Sequence, residues 1–155
     1  MRVYFAGSLF CEAERAFNLR LAEKLEAKGY QVFLPQRDGV ESGKFPYNEM
    51  ANDELQQTIF ELDRNMVLQA DIFLFVLDGR VPDEGASVEL GIAYGQKHLM
   101  QQDKLLIGLH TDMRGAFPGG KLNAMINGAL DCATGDEKKL IAEIEAFRSA
   151  RKPRE

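Results

Sequence analysis

Three acidic residues follow an apolar segment closely enough to act on one substrate. Asp83, Glu84 and Glu89 lie in the stretch 82–95, shortly after the apolar run 72–77. If the run is a strand and a helix follows, Glu89 falls near the first helical turn, where the helix dipole favours a carboxylate. Two carboxylates facing one crevice can act as nucleophile and acid, or as nucleophile and hydroxyl binder. The plain alternative is that these residues serve only the dipole.

The surroundings of Glu89 favour chemistry over a purely structural role. Core-type residues flank it on the predicted helix, namely Val88, Leu90, Ile92 and Ala93. Two glycines on the same helix, Gly91 and Gly95, each cost about 1 kcal/mol of helix stability relative to alanine. Glycines at these two positions are expected if another group packs very closely against this helix. The residues by themselves indicate a carboxylate site in a crevice and name no substrate.

The elements that must position these residues alternate along the whole chain. Strand patterns cover 3–6, 31–34, 72–77 and 104–109, and helix patterns cover 12–28, 49–68, 86–97, 122–126 and 136–149. The second long helix has Asn48 as its predicted N-cap. The segments 37–47 and 111–120 contain Gly and Pro and are predicted to be irregular. Such alternation predicts an α/β sandwich with a mostly parallel sheet of about five strands.

The crevice is expected at the carboxyl end of the strand at 72–77. This strand has no polar alternation, which is typical of a central parallel strand covered on both faces. Ligands of open α/β sheets bind outside the carboxyl ends of the strands. Gly85 allows a tight turn before the helix begins. We therefore expect Asp83, in the loop, and Glu89, on the helix, to face the same crevice.

Length and composition limit the class of protein. The 155 residues suit one domain over 1–150, followed by a basic, solvated tail at 151–155. A net charge of −5 argues against nucleic-acid and anionic-membrane partners. The chain has no run of 18 apolar residues, and its start lacks the features of a signal peptide, so a cytoplasmic protein is expected. Two Cys and two His without ligand spacing predict that the chain has no metal site.

Four segments, in order, resemble the nucleoside 2-deoxyribosyltransferase family, which also contains the 2'-deoxynucleoside 5'-phosphate N-hydrolases. They are VYFAGS at 3–8, ELDRNMVLQAD at 61–71, PDEGASVELGIA at 82–93 and LNAMI at 122–126. The resemblance extends from Val3 to about Asp131. It implies a flavodoxin-like (Rossmann-like) three-layer sandwich and a retaining reaction through a covalent glycosyl-enzyme. It implies no cofactor and no metal.

The resemblance also implies roles for individual residues. Glu89 matches the nucleophile, and Tyr4 matches a tyrosine that hydrogen-bonds it. Asp63 matches an aspartate facing the leaving base, and Asp83 matches one that contacts the sugar. Asn123 matches a residue that reaches into a neighbouring subunit's site, which implies a homo-oligomer of at least two subunits. Without the resemblance, Tyr4 would be a core residue, Asp63 a solvated helix residue and Asn123 a helix N-cap.

Further substrate contacts are predicted in the loops around this crevice. The residues concerned are Gly7, Phe10, Gln36, Arg37, Gly85 and Met125. Gln36 and Arg37 begin the loop after the second strand, which is expected to shape the base pocket. Phe10 and Met125 are candidates to pack on the base or the sugar, and both also fit a core role. The preference between purines and pyrimidines stays open.

Residue types in the loop after the first strand distinguish two branches of the family that this chain resembles. The hydrolase branch places serine and arginine there to bind a 5'-phosphate, and a serine at the position of Asn123. Here the loop reads GSLFCEAERAF, in which Glu12 and Glu14 oppose a phosphate. Asn123 suits a free 5'-hydroxyl. The sequence therefore favours a nucleoside 2-deoxyribosyltransferase acting on deoxynucleosides and free nucleobases.

The sequence is also compatible with two other functions. The segment NAMINGALD, 123–131, is otherwise similar to the hydrolase branch, and Arg15 or Arg37 is an alternative phosphate ligand. A 2'-deoxynucleoside 5'-phosphate N-hydrolase is therefore the first alternative. The second is a binding module for nucleosides or nucleotides that keeps the fold without turnover. The joint presence of Tyr4, Asp63, Asp83 and Glu89 argues against this second alternative.

Overall fold

A five-stranded parallel sheet forms the centre of the protein in the computed structural model, which describes residues 1–79, 81–112 and 122–151. The strands are β1 (Arg2–Gly7), β2 (Gln31–Phe33), β3 (Ile72–Val76), β4 (Leu105–Leu109) and β5 (Cys132–Thr134). Their order in the sheet is β2-β1-β3-β4-β5, and all neighbours pair in parallel. This is the flavodoxin-like order. The strands are added first on one side of β1 and then on the other, so the topological switch point lies between β1 and β3.

Helices cover both faces of the sheet. They are α1 (Glu12–Glu26), α2 (Pro35–Asp38), α3 (Asn52–Gln69), α4 (Glu84–Leu99), α5 (Ala124–Ala129) and α6 (Glu137–Ala150). Leucines of α1 and Leu140 and Ile144 of α6 pack in one core layer, while Val67 of α3 and Leu90 of α4 pack in the other. The predicted three-layer α/β fold is confirmed.

Successive side chains along the inner strands point to opposite faces of the sheet. All of β3 is buried, with Ile72 and Leu74 in the core beneath α1 and α6 and Phe73 in the core beneath α3 and α4. On β1, Tyr4 points to the same side as Phe73, and Phe5 points to the other. The strand pattern thus aims the hydroxyl of Tyr4 at the layer that carries α4.

Three helix starts differ from the sequence prediction. The helix predicted from 49 begins at Asn52, because Met50 is extended and Tyr47–Glu49 form a separate 3₁₀ turn. Asn48 is therefore not its N-cap, and Ala51 holds that position. The helix predicted from 86 begins at Glu84, and the one predicted from 122 begins at Ala124. In both of these, an Asp or Asn side chain caps the first turn, which moves the helix start to the next residue.

Two short elements and one terminal contact were not predicted. Helix α2 is a single turn that begins two residues before the segment expected to be irregular, and Pro35 occupies its first position. Strand β5 has only three residues and pairs with β4 alone. Arg151, at the start of the predicted solvated tail, is anchored by Asp71 at 2.5 Å and Asp103 at 2.9 Å. The irregular segment 111–120 lies outside the described residues from 113 onward.

None of the helices in the described ranges combines the length and apolar character that crossing a bilayer requires.

Candidate active site

Tyr4 and Glu89 form the central contact of the site. The Tyr4 ring is fully buried and stacks between Phe33 and Phe73, its register partners on the two neighbouring strands. The ring centroids lie 5.6 and 5.7 Å apart. The Tyr4 hydroxyl donates a hydrogen bond to Oε1 of Glu89 at 2.7 Å. Because the ring is clamped on both faces, the position of the hydroxyl, and with it the carboxylate, is set by the sheet.

Helix α4 presents Glu89 to that hydroxyl. Asp83 is the N-cap of α4, and its Oδ1 accepts a hydrogen bond from the backbone N–H of Ala86 at 2.8 Å. Glu89 follows six residues later, in the second turn. Ala86 and Leu90 are buried against the sheet, so the buried side of α4 also carries Glu89 inward. Because Asp83 is the N-cap, α4 begins at Glu84, earlier than predicted. Asp83 thus belongs to the cap as well as to the loop.

A cavity of about 80 Å³ brings most of the predicted site together. Its lining includes the predicted residues Gly7, Phe10, Asp63, Asp83, Gly85 and Glu89, together with Leu9 and Pro35. Gly7 ends β1 with φ +148°, and a Cβ there would lie 3.0 Å from the Val76 carbonyl oxygen. The end of β1, the start of α2, the middle of α3 and the start of α4 thus meet at the position where ligands bind in this fold.

Burial dominates the electrostatics of the cavity. It raises the pKa of Glu89 to about 7, helped by the charges of Asp63 and Asp83 and opposed by the hydrogen bond from Tyr4. Burial also raises the pKa of Asp63 to about 6. The pKa of Tyr4 is raised as well, by burial and then by the charge of Glu89, so its hydroxyl keeps its proton. Near neutral pH, one of the two carboxyl groups can be ionised while the other holds a proton.

Gln36 and Arg37 do not line this cavity. The Gln36 side chain is engaged on both ends, since Nε2 donates to the Arg15 carbonyl at 2.8 Å and Oε1 accepts from Asn18 at 3.2 Å. Arg37 is held by Glu26 at 2.8 Å and by neighbouring acceptors on α2 and β2. Both side chains are therefore engaged within their own chain and lie outside the lining of the cavity.

Asn123 and Met125 lie at a different place in the same chain. They line a cleft of about 770 Å³ between α4 and α5, and no residue within 1–79, 81–112 and 122–151 lines both this cleft and the cavity of Glu89. Oδ1 of Asn123 accepts from the Met125 N–H at 2.8 Å and caps α5. The cleft is the larger of the two, and among the described residues that line it Glu84 alone carries a charge. The two carboxyl groups with raised pKa values, Asp63 and Glu89, line the smaller cavity.

Two polar residues of α1, Glu14 and Asn18, bind the backbone of the loop after β1, and sequence reasoning did not predict these contacts. Oε2 of Glu14 accepts hydrogen bonds from the backbone N–H groups of Phe10 at 2.9 Å and Cys11 at 3.0 Å. Asn18 is buried and donates to the carbonyl oxygen of Ser8 at 2.9 Å. The contact made by Glu14 is indicated by the sequence, because a Glu three residues after an N-cap position is typical of a capping box. The second was signalled by a polar residue in register with the buried face formed by Leu21, Ala22 and Leu25.

A metal is not suggested by the acidic side chains. Within 1–79, 81–112 and 122–151, no group of three or more His, Cys, Asp or Glu side chains has an arrangement that could hold a metal ion.

The fold and this carboxylate cluster define a flavodoxin-like α/β protein with a site at the carboxyl edge of the sheet. A model of the nucleoside 2-deoxyribosyltransferase family matches residues 3–138, and the chain belongs to this family. The family comprises enzymes of glycosyl transfer and N-glycosidic cleavage. A search of curated proteins finds no match.

Solved structures share the fold over nearly the whole chain. A conserved protein from Enterococcus faecalis V583 has a TM-score of 0.76 and 24% identity, covering 94% of this chain and 98% of that one. A 2-deoxyribosyltransferase from Bacillus psychrosaccharolyticus has a TM-score of 0.69 and 21% identity, covering 90% of each chain. A CMP N-glycosidase from Clostridium botulinum has a TM-score of 0.54 and 19% identity, covering 94% and 99%. These similarities establish the fold that the four proteins share.

Proposed function

We propose that this chain is a nucleoside 2-deoxyribosyltransferase that moves the 2-deoxyribosyl group between nucleobases through a covalent deoxyribosyl-Glu89 intermediate. The observation that carries the proposal is the 2.7 Å hydrogen bond from Tyr4 to Glu89, in a cavity that Asp63 also lines. One oxygen of Glu89 is held in place, and a second carboxyl group with a raised pKa faces the same space.

The reaction follows from two carboxyl groups with different tasks. Ionised Glu89 bonds to the anomeric carbon as the bond between that carbon and the base nitrogen breaks, and protonated Asp63 gives its proton to the departing base. A second base then attacks the anomeric carbon, releases Glu89 and returns a proton to Asp63. Water in place of the second base gives hydrolysis. A 2-deoxy sugar suits this route, because no electron-withdrawing 2'-hydroxyl opposes the developing oxocarbenium ion.

Tyr4 and Asp83 act as positioning and binding groups in this scheme. Tyr4 stabilises the ionised form of Glu89 and fixes its orientation toward the sugar. Asp83 uses Oδ1 for the cap of α4, which leaves Oδ2 to accept a hydrogen bond from a sugar hydroxyl. Gly7 and Gly85 let the backbone approach the sugar closely, and Phe10, which is 80% exposed at the cavity, offers its ring to the base.

The loop after β1 supports a nucleoside over a nucleotide substrate. Backbone N–H groups at the start of a helix are the natural donors for a phosphate. Here the carboxylate of Glu14 already occupies those of Phe10 and Cys11. Burial opposes its charge, yet hydrogen bonds from Cys11, Ser8 and Phe10 hold the pKa of Glu14 below its usual range. A 5'-phosphate would have to approach this fixed negative charge, which is unfavourable.

We further propose that copies of this chain associate so that Asn123 serves the site of a neighbour. Asn123 and Met125 face a cleft separate from their own chain's Glu89, which supports action in another subunit. Met125 is 82% exposed and Val81 is 74% exposed, and both line this cleft. Apolar side chains exposed together on one face are typical of a surface that another chain covers.

The test is an exchange assay with the purified protein. Deoxyinosine is mixed with free adenine, and deoxyadenosine is followed by chromatography, with deoxyinosine 5'-monophosphate run in parallel. We expect deoxyadenosine from the first mixture and none with Glu89→Ala. Hypoxanthine released from the monophosphate without any exchange would identify the hydrolase instead. Binding of deoxyinosine with no product in either mixture would identify a binding module.

A further inference from the structure

Asn18 is a buried polar residue for which the reaction scheme gives no task. Only 3% of it is exposed, although it lies on the apolar face of α1 with Leu21, Ala22 and Leu25. A buried amide is costly unless it is hydrogen-bonded. Both protons of its Nδ2 group have acceptors, the carbonyl oxygen of Ser8 at 2.9 Å and Oε1 of Gln36 at 3.2 Å.

These two acceptors belong to different walls of the cavity. Ser8 lies in the loop after β1, between the lining residues Gly7 and Leu9. Gln36 is the second residue of α2 and follows the lining residue Pro35. Asn18 therefore ties two walls to the same point of α1. Nε2 of Gln36 closes the connection by donating back to α1 at the Arg15 carbonyl, 2.8 Å away.

The same face of α1 holds the loop at a second point. Glu14 lies four residues before Asn18, so the two side chains project from the same side of the helix. Glu14 binds the N–H groups of Phe10 and Cys11, while Asn18 binds the carbonyl of Ser8. We call the loop Ser8–Cys11 the substrate loop, because Leu9 and Phe10 within it line the cavity. Its backbone is thus fixed at both ends from α1.

We propose that Asn18 is a positioning residue for the reaction assigned above, holding the substrate loop and α2 in register beside Glu89. The inference rests on the proposed function, since it takes the substrate loop to contact the substrate. Asn18 reaches no reacting atom, so its removal should weaken substrate binding more than the chemical step.

The amide is specifically required, because two acceptors must be bound from one buried nitrogen. Leucine fills a similar volume but offers no donor, which leaves the Ser8 carbonyl and Gln36 Oε1 unpaired. Aspartate keeps the shape but, when ionised, presents only acceptors to two acceptors. Both substitutions should release the substrate loop while the apolar packing of α1 is largely kept.

The experiment measures steady-state exchange kinetics and amide hydrogen exchange in Asn18→Leu and Asn18→Asp. We expect KM for the deoxynucleoside to rise about tenfold, with kcat within about threefold of wild type, as loss of two modest hydrogen bonds predicts. The amide protons of Phe10 and Cys11 should exchange at least about tenfold faster. Gln36→Ala, at a half-buried and more tolerant position, removes only the link to α2 and should give a smaller rise in KM.

The matched control is Ile144→Val on α6, which thins the core that α1 shares but has no bond to the substrate loop. It should lower the melting temperature and leave KM and the exchange of Phe10 unchanged. Unaltered KM and unaltered amide exchange in both Asn18 variants would overturn the inference. If wild-type protein shows no turnover, the proposed function fails, while the amide exchange of Phe10 and Cys11 still tests the link itself.

Discussion

Glu89 and Asp63 act as a pair at the residue scale. Their pKa values are raised to about 7 and about 6, and burial is the main cause for both. In the proposed mechanism, the form that reacts has Glu89 ionised and Asp63 protonated. It is one of two forms in which the pair holds a single proton, and it is the less populated one because Glu89 has the higher pKa. Activity therefore follows the population of the singly protonated pair.

This pairing predicts a bell-shaped pH profile and a specific change in Tyr4→Phe. For wild type, kcat/KM should rise with pH through about 6 and fall through about 7, because the lower and higher pKa values bound the singly protonated state. The hydrogen bond from Tyr4 lowers the pKa of Glu89. Tyr4→Phe should therefore move the falling limb to higher pH, leave the rising limb in place, and lower the maximum.

Two features make Tyr4→Phe a clean test. The phenylalanine ring keeps the stacking with Phe33 and Phe73, so the sheet should stay intact. Both limbs can be read from kcat/KM for the deoxynucleoside between about pH 5 and pH 9, which reports groups of the free enzyme. A falling limb that does not move in Tyr4→Phe would contradict the assignment of the higher pKa to Glu89.

Removal of the charge of Glu89 should stabilise the fold at high pH. Its pKa is raised from 4.5 to about 7, so the folded protein binds this proton more tightly than the unfolded chain. Wild-type stability therefore falls as pH rises through that interval. Glu89→Gln should be more stable than wild type by roughly 1–2 kcal/mol at pH 8, after allowance for solvent screening, and nearly equal at pH 4.

Urea denaturation at the two pH values measures this difference. Glu23→Gln is the matched control, because it makes the same change at an exposed position of α1. Equal stability of Glu89→Gln and wild type at pH 8 would mean that the carboxylate is better solvated than its position beside Tyr4 indicates.

Helix α4 is the element on which the site depends most, because its cap and its second turn both face the cavity. Asp83 has two tasks in the proposed mechanism, since Oδ1 caps the helix and Oδ2 is assigned to the sugar. Any change there mixes stability with binding. The two effects can be separated by comparing a substitution that keeps the cap with one that removes it.

Asp83→Asn and Asp83→Ala should separate these tasks. Asn keeps an acceptor for the Ala86 N–H, so thermal stability should stay near wild type, whereas Ala should lose about 1 kcal/mol. Both should lower kcat/KM if the carboxylate binds the sugar. The matched control is Asp136→Ala, which removes the N-cap of α6 away from the cavity. It should lose similar stability and keep full activity. Wild-type kcat/KM in Asp83→Asn would leave Asp83 with the cap alone.

Sequence patterns predict those elements whose position follows from one local rule, such as an apolar run or a helical period. Strands β1 to β4 and helices α1, α4 and α6 are placed to within two residues at each end. Strand β5 has only three residues and forms because the edge of β4 is available, which no local pattern encodes. The start of α3 was wrong, because a 3₁₀ turn and the extended Met50 intervene where Asn48 satisfied the capping rule.

The site was predictable only in part for a related reason. Tyr4 and Glu89 are 85 residues apart, and only the family resemblance links them before the fold is known. Gln36 and Arg37 were predicted from their position after β2, but α2 turns Arg37 toward Glu26. Asn18 was overlooked because periodicity counts apolar residues and passes over an amide that lies in register with them.

On the scale of the whole molecule, α4 separates two surfaces of different character. One side carries Glu89 and the acidic cavity, and the other lines the apolar cleft with Asn123 and Met125. Under the proposed assembly, a residue on the second side serves a site of the first kind in another copy. The proposed assembly is therefore a statement about which chain supplies each residue, and mixing two inactive variants tests it directly.

Glu89→Ala and Asn123→Ala should complement each other when they are dissociated, mixed in equal amounts and reassembled. In a dimer with shared sites, half of the molecules are mixed, and each of these has one site with an intact Glu89 and an intact Asn123. About a quarter of wild-type exchange activity should return. Glu89→Ala mixed with Asp63→Asn is the matched control, because both residues line the cavity of one chain and no intact site can form. If both mixtures stay equally inactive, Asn123 acts only as the cap of α5 in its own chain.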